Sequence, residues 1–505
     1  MQKSITFTTH CEWKQYIDSP SYFRGSIRSD GDVQAVYLTD SNGKVLHHLL
    51  KTSEKEAQVF LYIEQPGHYT FHLVPVADAS ATVDISLQPL PLKSNQIVSP
   101  KLDIISPLLS AAAQEIAANN VLAETIFWQN VSKKGTPLIE RDAAGQTVVT
   151  FLYQGDALTR NVLVLGTPYD GQAHLSHLSH SDIWFKSYVI PDSSRFSYRI
   201  AVNVPQLVEN NWTEQYFAAF STIRLDPKNR HATFGEADSQ FGCASTLTLP
   251  SAPSDLMTLE SGAPKGSVEG LQYHSDLLGN TRLVQIYQPH PIYPLSGDSP
   301  LLMVFDGSDY LTKVPTTVIL DNLIAKGAIP PMRAVFIDTP SLKLRAAELT
   351  PNAQYAHFLA TEFKPWLRSR FNITPNAKNT VLAGSSFGGL ASMYIAFKYP
   401  EQFGKVLSQS GSFWWAPETR ANVQQNWFAE LVAQAPTQPI EIYMNAGLFE
   451  ISPKSYEILD NNRHLVTTLK NKGYSVTFEE LACGHDYFSW RATFAQGLIA
   501  LFKTQ

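Results

Sequence analysis

A short stretch of small residues, Gly384–Gly389, is the part of the sequence best suited to do chemistry. It has the spacing G-x-S-x-G around Ser386 and lies between an apolar run and an amphipathic segment. A strand, a sharp turn and a helix in this order hold a serine hydroxyl clear of the backbone, and the glycines let the strand and the helix pack closely. The free N–H groups at the helix N-terminus can stabilise negative charge beside the serine. We therefore predict that Ser386 is a nucleophile; a Gly/Ser-rich turn without chemistry is the alternative.

An activated serine needs a base, and histidine suits this role near neutral pH. In α/β-hydrolases the chain order is serine, acid, histidine, and only two histidines follow Ser386. His464 falls inside a predicted helix, whereas His485 lies in a turn after the last predicted strand. We therefore predict that His485 is the base, with a loop histidine that caps a helix as the alternative.

The acid that would orient His485 is one of nine carboxylates between Ser386 and His485. The others fall within or beside predicted helices and strands, and Glu450 alone lies in a loop directly after a predicted strand. Because an orienting acid belongs at such a strand end, we predict Glu450 for this role. The alternative is a surface or substrate-facing Glu450, with a Ser-His pair that works without a fixed acid.

The negative charge that forms during attack on a carbonyl group needs two N–H donors at about 3 Å. One donor should be the amide of Phe387, directly after the nucleophile. The other should come from the loop after the apolar run 301–305, through the amide of Gly307 or of a neighbour. For that loop, the alternative is an ordinary strand-to-helix connection in which Asp306 caps the helix.

From about residue 266 the chain alternates between apolar strand-like runs and amphipathic helix-like segments. This rhythm predicts an open, mostly parallel α/β sheet covered by helices. Strands are predicted at 270–273, 281–288, 301–305, 332–337, 379–383, 405–410, 440–445 and 475–481, and helices near 316–326, 354–370, 390–398, 423–433, 455–472 and 490–503. The active site of such a sheet lies at the carboxyl ends of its strands, where all the candidate residues fall.

The earlier part of the chain has a different pattern. Residues 1–93 and about 135–225 contain short alternating segments separated by turn residues, which is typical of β-sandwiches. A helix is predicted over 104–127 between them. The predicted fold class is α/β, with a C-terminal α/β-hydrolase domain (266–505) preceded by two β-sandwich-like domains (1–95 and 135–225). A helical linker (96–134) and a second linker (226–265) complete the division.

Composition limits the classes of function. The chain has 505 residues, 44% hydrophobic and 17% charged, as expected for a globular protein of several domains. Its net charge of −6 disfavours binding to nucleic acid or to an anionic membrane, and no apolar run reaches the ~20 residues of a membrane span. Three widely separated cysteines suit a reducing compartment. The first residues lack an apolar core of signal-peptide length, so the cytoplasm is the expected location.

Taken in order, these motifs resemble the enterochelin (enterobactin) esterase family, from about residue 145 to the end of the chain. In the C-terminal part the resemblance rests on the segments 304–307, 345–349, 384–389, 403–415, 446–450 and 484–491. Before it, Trp184 and the segments 190–200, 226–229 and 249–253 resemble the family's N-terminal β domain and linker. Two positions depart from the family pattern. Cys483 replaces a usual glycine, and Phe449 stands where a basic residue is common.

The resemblance implies an intracellular serine esterase that opens a ferric catecholate siderophore such as enterobactin. It implies no metal or organic cofactor, since iron would arrive only as part of the substrate. A ferric tris-catecholate complex is a bulky trianion with flat rings, which cations and aromatic faces around the serine would suit. The candidates for this substrate contact are Arg345, Lys343, Arg463 and Arg491 for charge, and Trp414, Trp415 and Tyr310 for aromatic faces.

Two other classes of function stay open from the sequence. One is an esterase of the same broad fold that acts on a thioester, a feruloyl ester or a sugar ester, with the β domains available for carbohydrate. The other is a siderophore- or glycan-binding protein that keeps a hydrolase scaffold without catalysis.

Overall fold

The computed structural model describes residues 1–52, 54–77, 79–209, 211–237, 239, 241–418, 426–451 and 457–502. The chain divides into two compact units. The first comprises Met1–Thr167, Gln172–Ile190 and Tyr198–Leu247, and the second comprises Pro168–Gly171, Pro191–Ser197 and Thr248–Gln505. Within the described ranges, no helix combines the length and the apolar character that a membrane crossing requires.

The first unit begins with a β-sandwich. Its strands are β1 (Gln2–Phe7), β2 (Cys11–Ile17), β3 (Ser21–Ser29), β4 (Val33–Thr39), β5 (Val45–Lys51), β6 (Glu56–Ile63), β7 (Gly67–Pro75) and β8 (Ala81–Leu90). They form two four-stranded antiparallel sheets, ordered β1-β8-β3-β6 and β2-β7-β4-β5. Alternate residues of each strand face a shared apolar core, as Tyr69, Phe71 and Leu73 do on β7. The β structure predicted for residues 1–93 is confirmed.

Two helices follow the sandwich, α1 (Pro107–Ala117) and α2 (Ala123–Lys134). Ser106 caps α1, because its hydroxyl accepts from the Leu109 N–H at 3.1 Å. The prediction of a single helix over 104–127 is wrong. Asn119 has a positive φ of 61°, a left-handed conformation that a right-handed helix cannot contain.

The second β region contains β9 (Leu138–Arg141), β10 (Thr147–Gln154), β11 (Val162–Thr167), β12 (Gly171–His174), β13 (Ser176–His177), β14 (Ile183–Val189), β15 (Arg195–Val202), α3 (Trp212–Phe220), β16 (Ile223–Arg224) and β17 (Ser245–Thr248). Two sheets result, ordered β13-β14-β10-β9 and β12-β11-β15-β16, with β17 also paired to β15. Helix α3 was not predicted. Its signal was Asn211, whose side chain accepts from the Glu214 N–H at 3.2 Å and so caps the helix.

The C-terminal part of the second unit is built on an eight-stranded sheet ordered β18-β19-β21-β20-β22-β23-β24-β25. The strand bounds are β18 (Ser267–Ser275), β19 (Asn280–Gln288), β20 (Leu301–Phe305), β21 (Arg333–Ile337), β22 (Thr380–Ser385), β23 (Lys405–Gln409), β24 (Glu441–Gly447) and β25 (Ser475–Leu481). Only the pairings of β19 with β18 and β21 are antiparallel; the others are parallel. All eight predicted strands are present, which confirms the α/β class.

Helices lie on both faces of this sheet. Their bounds are α4 (Gly307–Thr312), α5 (Thr316–Ala325), α6 (Leu342–Glu348), α7 (Ala353–Phe358), α8 (Lys364–Phe371), α9 (Phe387–Lys398), α10 (Trp427–Gln434), α11 (Ile458–Asn471) and α12 (Tyr487–Phe502). The predicted helix 354–370 is divided by a π-helical turn, Leu359–Phe363, between α7 and α8. Residues 423–425, 455–456 and 503, at the ends of other predicted helices, lie outside the described residues.

The central strands of the sheet are buried on both faces. Every residue of β20 and β22 is buried, and two separate apolar clusters pack against the opposite faces. This is the burial pattern of a parallel sheet covered by helices. The carboxyl ends of β20 and β22–β25 therefore meet at one edge, which positions the loops that follow them.

Candidate active site

Ser386 occupies a sharp turn between strand β22 and helix α9. Its φ of 56° and ψ of −120° lie in a region that residues with a Cβ rarely adopt, so the turn is strained. Neighbouring glycines make it sterically possible. A Cβ on Gly384 would lie 2.7 Å from the carbonyl carbon of Gly388, and a Cβ on Gly389 would lie 2.5 Å from Ser408 Oγ. The turn has the geometry that was predicted for a nucleophile.

The serine turn is fixed to strand β23 and to the loop that follows it. The Ser386 N–H donates to the carbonyl of Gln409 at 2.9 Å, and the Ser386 carbonyl accepts from the Ser412 N–H at 3.0 Å. The Oγ atoms of Ser386 and Ser412 are 3.1 Å apart, a hydrogen-bond distance. Both the backbone and the hydroxyl of Ser386 are thus held in one place.

Glu450 and His485 are in direct contact. His485 Nδ1 lies 2.5 Å from Glu450 Oε1, and Glu450 Oε2 accepts from the Gly447 N–H at 2.6 Å. The Glu450 side chain is 1% exposed and the His485 side chain 39% exposed, so the carboxylate lies inside and the imidazole at the surface. Because an ionised carboxylate only accepts hydrogen bonds, Nδ1 donates, and in the neutral ring Nε2 keeps the lone pair that a base needs.

Ser386, Glu450 and His485 follow the carboxyl ends of β22, β24 and β25, at one edge of the sheet. Trp490 connects the histidine to the middle of this edge. Its ring lies 4.9 Å from that of His485, and its Nε1 donates to Ser410 Oγ, just after β23, at 3.0 Å. Among the described residues, no hydrogen bond joins Ser386 to His485. The structure therefore brings the acid and base into contact and places the serine at the same edge.

Backbone contacts join the loop that carries the acid to the loop that carries the histidine. The Leu448 N–H donates to the Leu481 carbonyl at 2.7 Å, and the Phe449 N–H donates to the Cys483 carbonyl at 3.1 Å. Gly447 permits this close approach, because a Cβ there would lie 2.3 Å from the Cys483 carbonyl oxygen. The spacing of the two loops thus depends on the absence of a side chain at residue 447.

Gly447→Ala should therefore push the acid loop away from the histidine loop. The overlap is with backbone, which no side-chain rotation can relieve, so we expect a loss of stability of about 1–3 kcal/mol. Thermal unfolding measures it as a lower Tm. Gly484→Ala, in the same histidine loop, is the matched control, since no atom lies within 4 Å of a Cβ there. Equal Tm values for the two variants would contradict the proposed steric role of Gly447.

Both departures from the family pattern are packed residues. Phe449 is 4% exposed, and its ring packs edge-on at 5.0 Å from Tyr169 and 5.8 Å from Phe196. Cys483 is also buried, and this burial, assisted by the charge of Glu450, raises the pKa of its thiol. Phe449 therefore supports the acid loop by packing, and the Cys483 thiol stays neutral.

A further support of the histidine loop was not predicted. Asp486 Oδ2 accepts from the N–H and the Oγ of Ser197, at 2.7 and 2.8 Å, and Oδ1 accepts from the Ser489 N–H at 2.6 Å. The Arg195 N–H donates to the Ala482 carbonyl at 2.9 Å. An Asp just before a predicted helix is a capping signal that the sequence does contain. Nothing in the sequence pairs that Asp with a serine 289 residues away.

The predicted oxyanion donors are both helix N-terminal amides. Gly307 and Phe387 are the first residues of α4 and α9. The first N–H groups of a helix have no partner within it, so these amides suit bound negative charge. A Cβ on Gly307 would lie 2.6 Å from the carbonyl carbon of Phe336, so only glycine fits there. A Cβ on Gly388 would lie 3.5 Å from Asp306 Oδ2, which places the start of α9 beside the loop that precedes Gly307.

Arg345 forms a two-bond ion pair with Asp306. Its Nε and Nη2 lie 2.6 and 2.7 Å from the two carboxylate oxygens, and the Asp306 side chain does not cap α4. The guanidinium lies 5.8 Å from the centre of the Phe387 ring, next to the nucleophile. Burial opposes its charge, but the bond to Asp306 outweighs burial and raises the pKa of Arg345. Lys343, two residues earlier, is exposed.

The two other predicted cations are paired with carboxylates. Arg463 lies 2.8 and 2.7 Å from the two carboxylate oxygens of Glu480 and 3.1 Å from Asp460. Arg491 lies 3.0 Å from Asp255. These partners offset much of the positive charge that was predicted to face an anionic substrate.

Two of the predicted aromatic faces are half-buried. The Trp414 ring lies 5.9 Å from that of Phe387, beside the nucleophile, and Trp415 packs edge-on at 5.5 Å from Trp427. The prediction that Tyr310 offers a face to the substrate is wrong. Tyr310 is 0% exposed and belongs to the apolar core between the sheet and its helices.

A mostly parallel sheet, a strained serine turn and a histidine–carboxylate pair at the same sheet edge define the α/β-hydrolase class. Residues 275–501 match a family model described as "Putative esterase", and residues 148–257 match one described as "Enterochelin esterase, N-terminal". The chain therefore belongs to the enterochelin esterase family, as predicted, and is a carboxylic-ester hydrolase. Neither match includes residues 1–147.

Individual relatives agree with this assignment. The chain is 28% identical over 411 residues to the iron(III) enterobactin esterase of Dickeya dadantii, covering 74% of this chain and 92% of that protein. It is 25% identical to the iron(III) salmochelin esterase of Escherichia coli O6:H1, covering 77% of this chain and 96% of that one. A crystal structure of the enterobactin esterase from Shigella flexneri in the presence of enterobactin superposes with a TM-score of 0.59 at 26% identity, over 75% of this chain and 97% of that one.

Proposed function

We propose that this protein hydrolyses the ester bonds of a ferric catecholate siderophore such as enterobactin and so releases iron in the cytoplasm. The observation that carries the proposal is the Glu450–His485 pair at the same sheet edge as the strained Ser386 turn. The substrate class is supported by relatives named as iron(III) enterobactin and iron(III) salmochelin esterases.

In the proposed first step, Ser386 Oγ attacks the carbonyl carbon of a substrate ester. Its hydroxyl exchanges the contact with Ser412 Oγ for one with His485 Nε2, which takes the proton. The bond from Nδ1 to Glu450 holds the ring and stabilises the imidazolium that forms. The alkoxy C–O bond then breaks, His485 returns the proton to the leaving alcohol, and an acyl ester on Ser386 remains.

In the second step, water replaces the alcohol. His485 Nε2 takes a proton from the water while the water oxygen attacks the acyl carbon. The protonated His485 then gives this proton to Ser386 Oγ as the carboxylic acid leaves. The amides of Gly307 and Phe387 donate to the oxyanion in both steps. Every catalytic group in these two steps is a residue of this chain. We therefore propose that no cofactor takes part and that iron enters only as part of the substrate.

We propose that the acyl part of the siderophore rests on the half-buried rings of Phe387 and Trp414, beside the nucleophile. Catechol rings are flat and can stack on such faces. Arg345 is the predicted cation with the best support, because its guanidinium lies over Phe387. Trp415, Arg463 and Arg491 stay predictions for substrate binding.

Chromatography of ferric enterobactin digests tests the substrate. The full chain should convert the cyclic trimer into linear trimer, dimer and monomer of dihydroxybenzoylserine, and p-nitrophenyl acetate should be cleaved as a simple ester. Cleavage of the simple ester without any siderophore fragment would favour an esterase for another substrate. Cleavage of neither compound would favour a binding protein.

A further inference from the structure

The N-terminal sandwich carries a group of histidines that the esterase chemistry does not use. They lie on the outer face of the sheet β2-β7-β4-β5, in residues that neither family match includes. The strand registers place Glu12 opposite His72, and Tyr37 opposite both His72 and His48. His10 lies one residue before β2. One cross-strand row therefore collects imidazole and carboxylate groups.

Three ligand atoms of this group converge. His10 Nε2 lies 3.2 Å from His72 Nδ1, and Glu12 Oε1 lies 3.6 Å from the same His72 Nδ1. One ligand atom from each of the three residues lies within 4.8 Å of the other two. A tetrahedral metal ion with ligand bonds of 2.0–2.1 Å separates its donor atoms by about 3.3 Å. The two separations from Nδ1 are therefore close to those around a shared ion.

The central ring of the group is held in the orientation that ligation needs. His72 Nε2 lies 3.0 Å from Thr39 Oγ1, so Nδ1 points towards the other two side chains. The Tyr37 ring stacks on His72 at 4.7 Å with an angle of 10° between the ring planes. A metal-binding histidine commonly bonds a second residue through its other nitrogen, which sets the tautomer and the ring plane.

We propose that His10, Glu12 and His72 bind a divalent transition-metal ion, with Zn²⁺ as the best match. Two imidazoles and one carboxylate suit this ion, and three protein ligands leave a fourth position for water or another ligand. The His72 side chain is 14% exposed and that of Glu12 47% exposed, so an ion can enter from solvent. The ion would link strands β2 and β7 and the residue before β2.

Isothermal titration of the EDTA-dialysed full chain with Zn²⁺ alone tests the proposal. The wild type should bind one more ion than the His10→Ala/Glu12→Gln double variant, and each single variant should weaken that site at least tenfold. His68→Ala is the matched control, because it removes an exposed histidine from the same strand and face as His72, and it should bind like the wild type. Equal stoichiometry and affinity in the wild type and the double variant would overturn the proposal.

Co²⁺ provides a second measurement. The wild type should show the strong visible absorption of a four-coordinate site, and the double variant should lose it. The same spectrum in both proteins would contradict the assignment. Hydrolysis of p-nitrophenyl acetate should be unchanged in all these variants, because none alters a residue of the proposed esterase mechanism. The metal site and the proposed function can thus fail separately.

Discussion

Ser386→Ala should lower kcat for ester hydrolysis by a factor of about 10³–10⁵. Removal of Oγ leaves the amides of Gly307 and Phe387 and the imidazole of His485 in place but deletes the atom that we propose forms the acyl-enzyme. The fold should persist, because the lost hydroxyl makes one hydrogen bond, to Ser412, worth about 0.5–1.5 kcal/mol. Rates with p-nitrophenyl acetate and ferric enterobactin measure the effect, and thermal unfolding checks the fold.

Ser392→Ala is the matched control for this prediction. It removes another serine hydroxyl from the same helix, α9, where Oγ donates to the Gly388 carbonyl at 2.8 Å. Its rate should stay within about twofold of the wild type, because Ser392 is buried and takes no part in the proposed mechanism. Rates that fall equally in both variants, or a Ser386→Ala protein that keeps its activity, would exclude Ser386 as the nucleophile.

Glu450→Gln should lower kcat by a factor of about 10²–10⁴ while leaving KM within a few-fold. A glutamine can keep the bond from the Gly447 N–H, but its amide nitrogen then faces His485 Nδ1 as a donor. The ring must therefore place its proton on Nε2, which is the tautomer that cannot act as a base. A kcat effect with little change in KM is expected, because the proposed role of Glu450 is to orient the base and no substrate contact is proposed for it.

Asp460→Asn is the control for a carboxylate-to-amide change on the same part of the chain. Asp460 is exposed and pairs with Arg463, so its substitution should change kcat by less than about twofold. A loss of less than tenfold in Glu450→Gln would show that the Ser-His pair works without this acid.

The central part of the hydrolase sheet could be predicted because its strands are short apolar runs. Runs such as 301–305 and 381–383 are buried on both faces, a pattern that the sequence indicates without tertiary information. The serine turn could also be predicted from the sequence. Gly384 and Gly389 approach their neighbours so closely that only glycine fits, so the turn has a recognisable glycine pattern. Glu450 could be chosen among the nine candidate carboxylates because the loops that follow parallel strands lie at the same edge of the sheet.

Features that depend on distant partners could not be predicted. Tyr310 follows a candidate oxyanion loop and still lies wholly in the core. The sequence suggests that Arg345 is a free cation, but it forms an ion pair with Asp306, 39 residues earlier in the chain. In each case, burial and pairing are set by segments that the local pattern does not contain.

The sequence by itself determined the α/β class of the C-terminal part, the identity of the candidate serine and histidine, and the resemblance to a family. Local spacing and apolar periodicity are enough for these, because they concern neighbours along the chain. Only the tertiary structure decided that Glu450 reaches His485 at 2.5 Å and that Ser197 supports the loop through Asp486. It alone brought His10, Glu12 and His72 together. Such contacts join residues that are far apart in the chain, so their geometry exists only after the strands have paired.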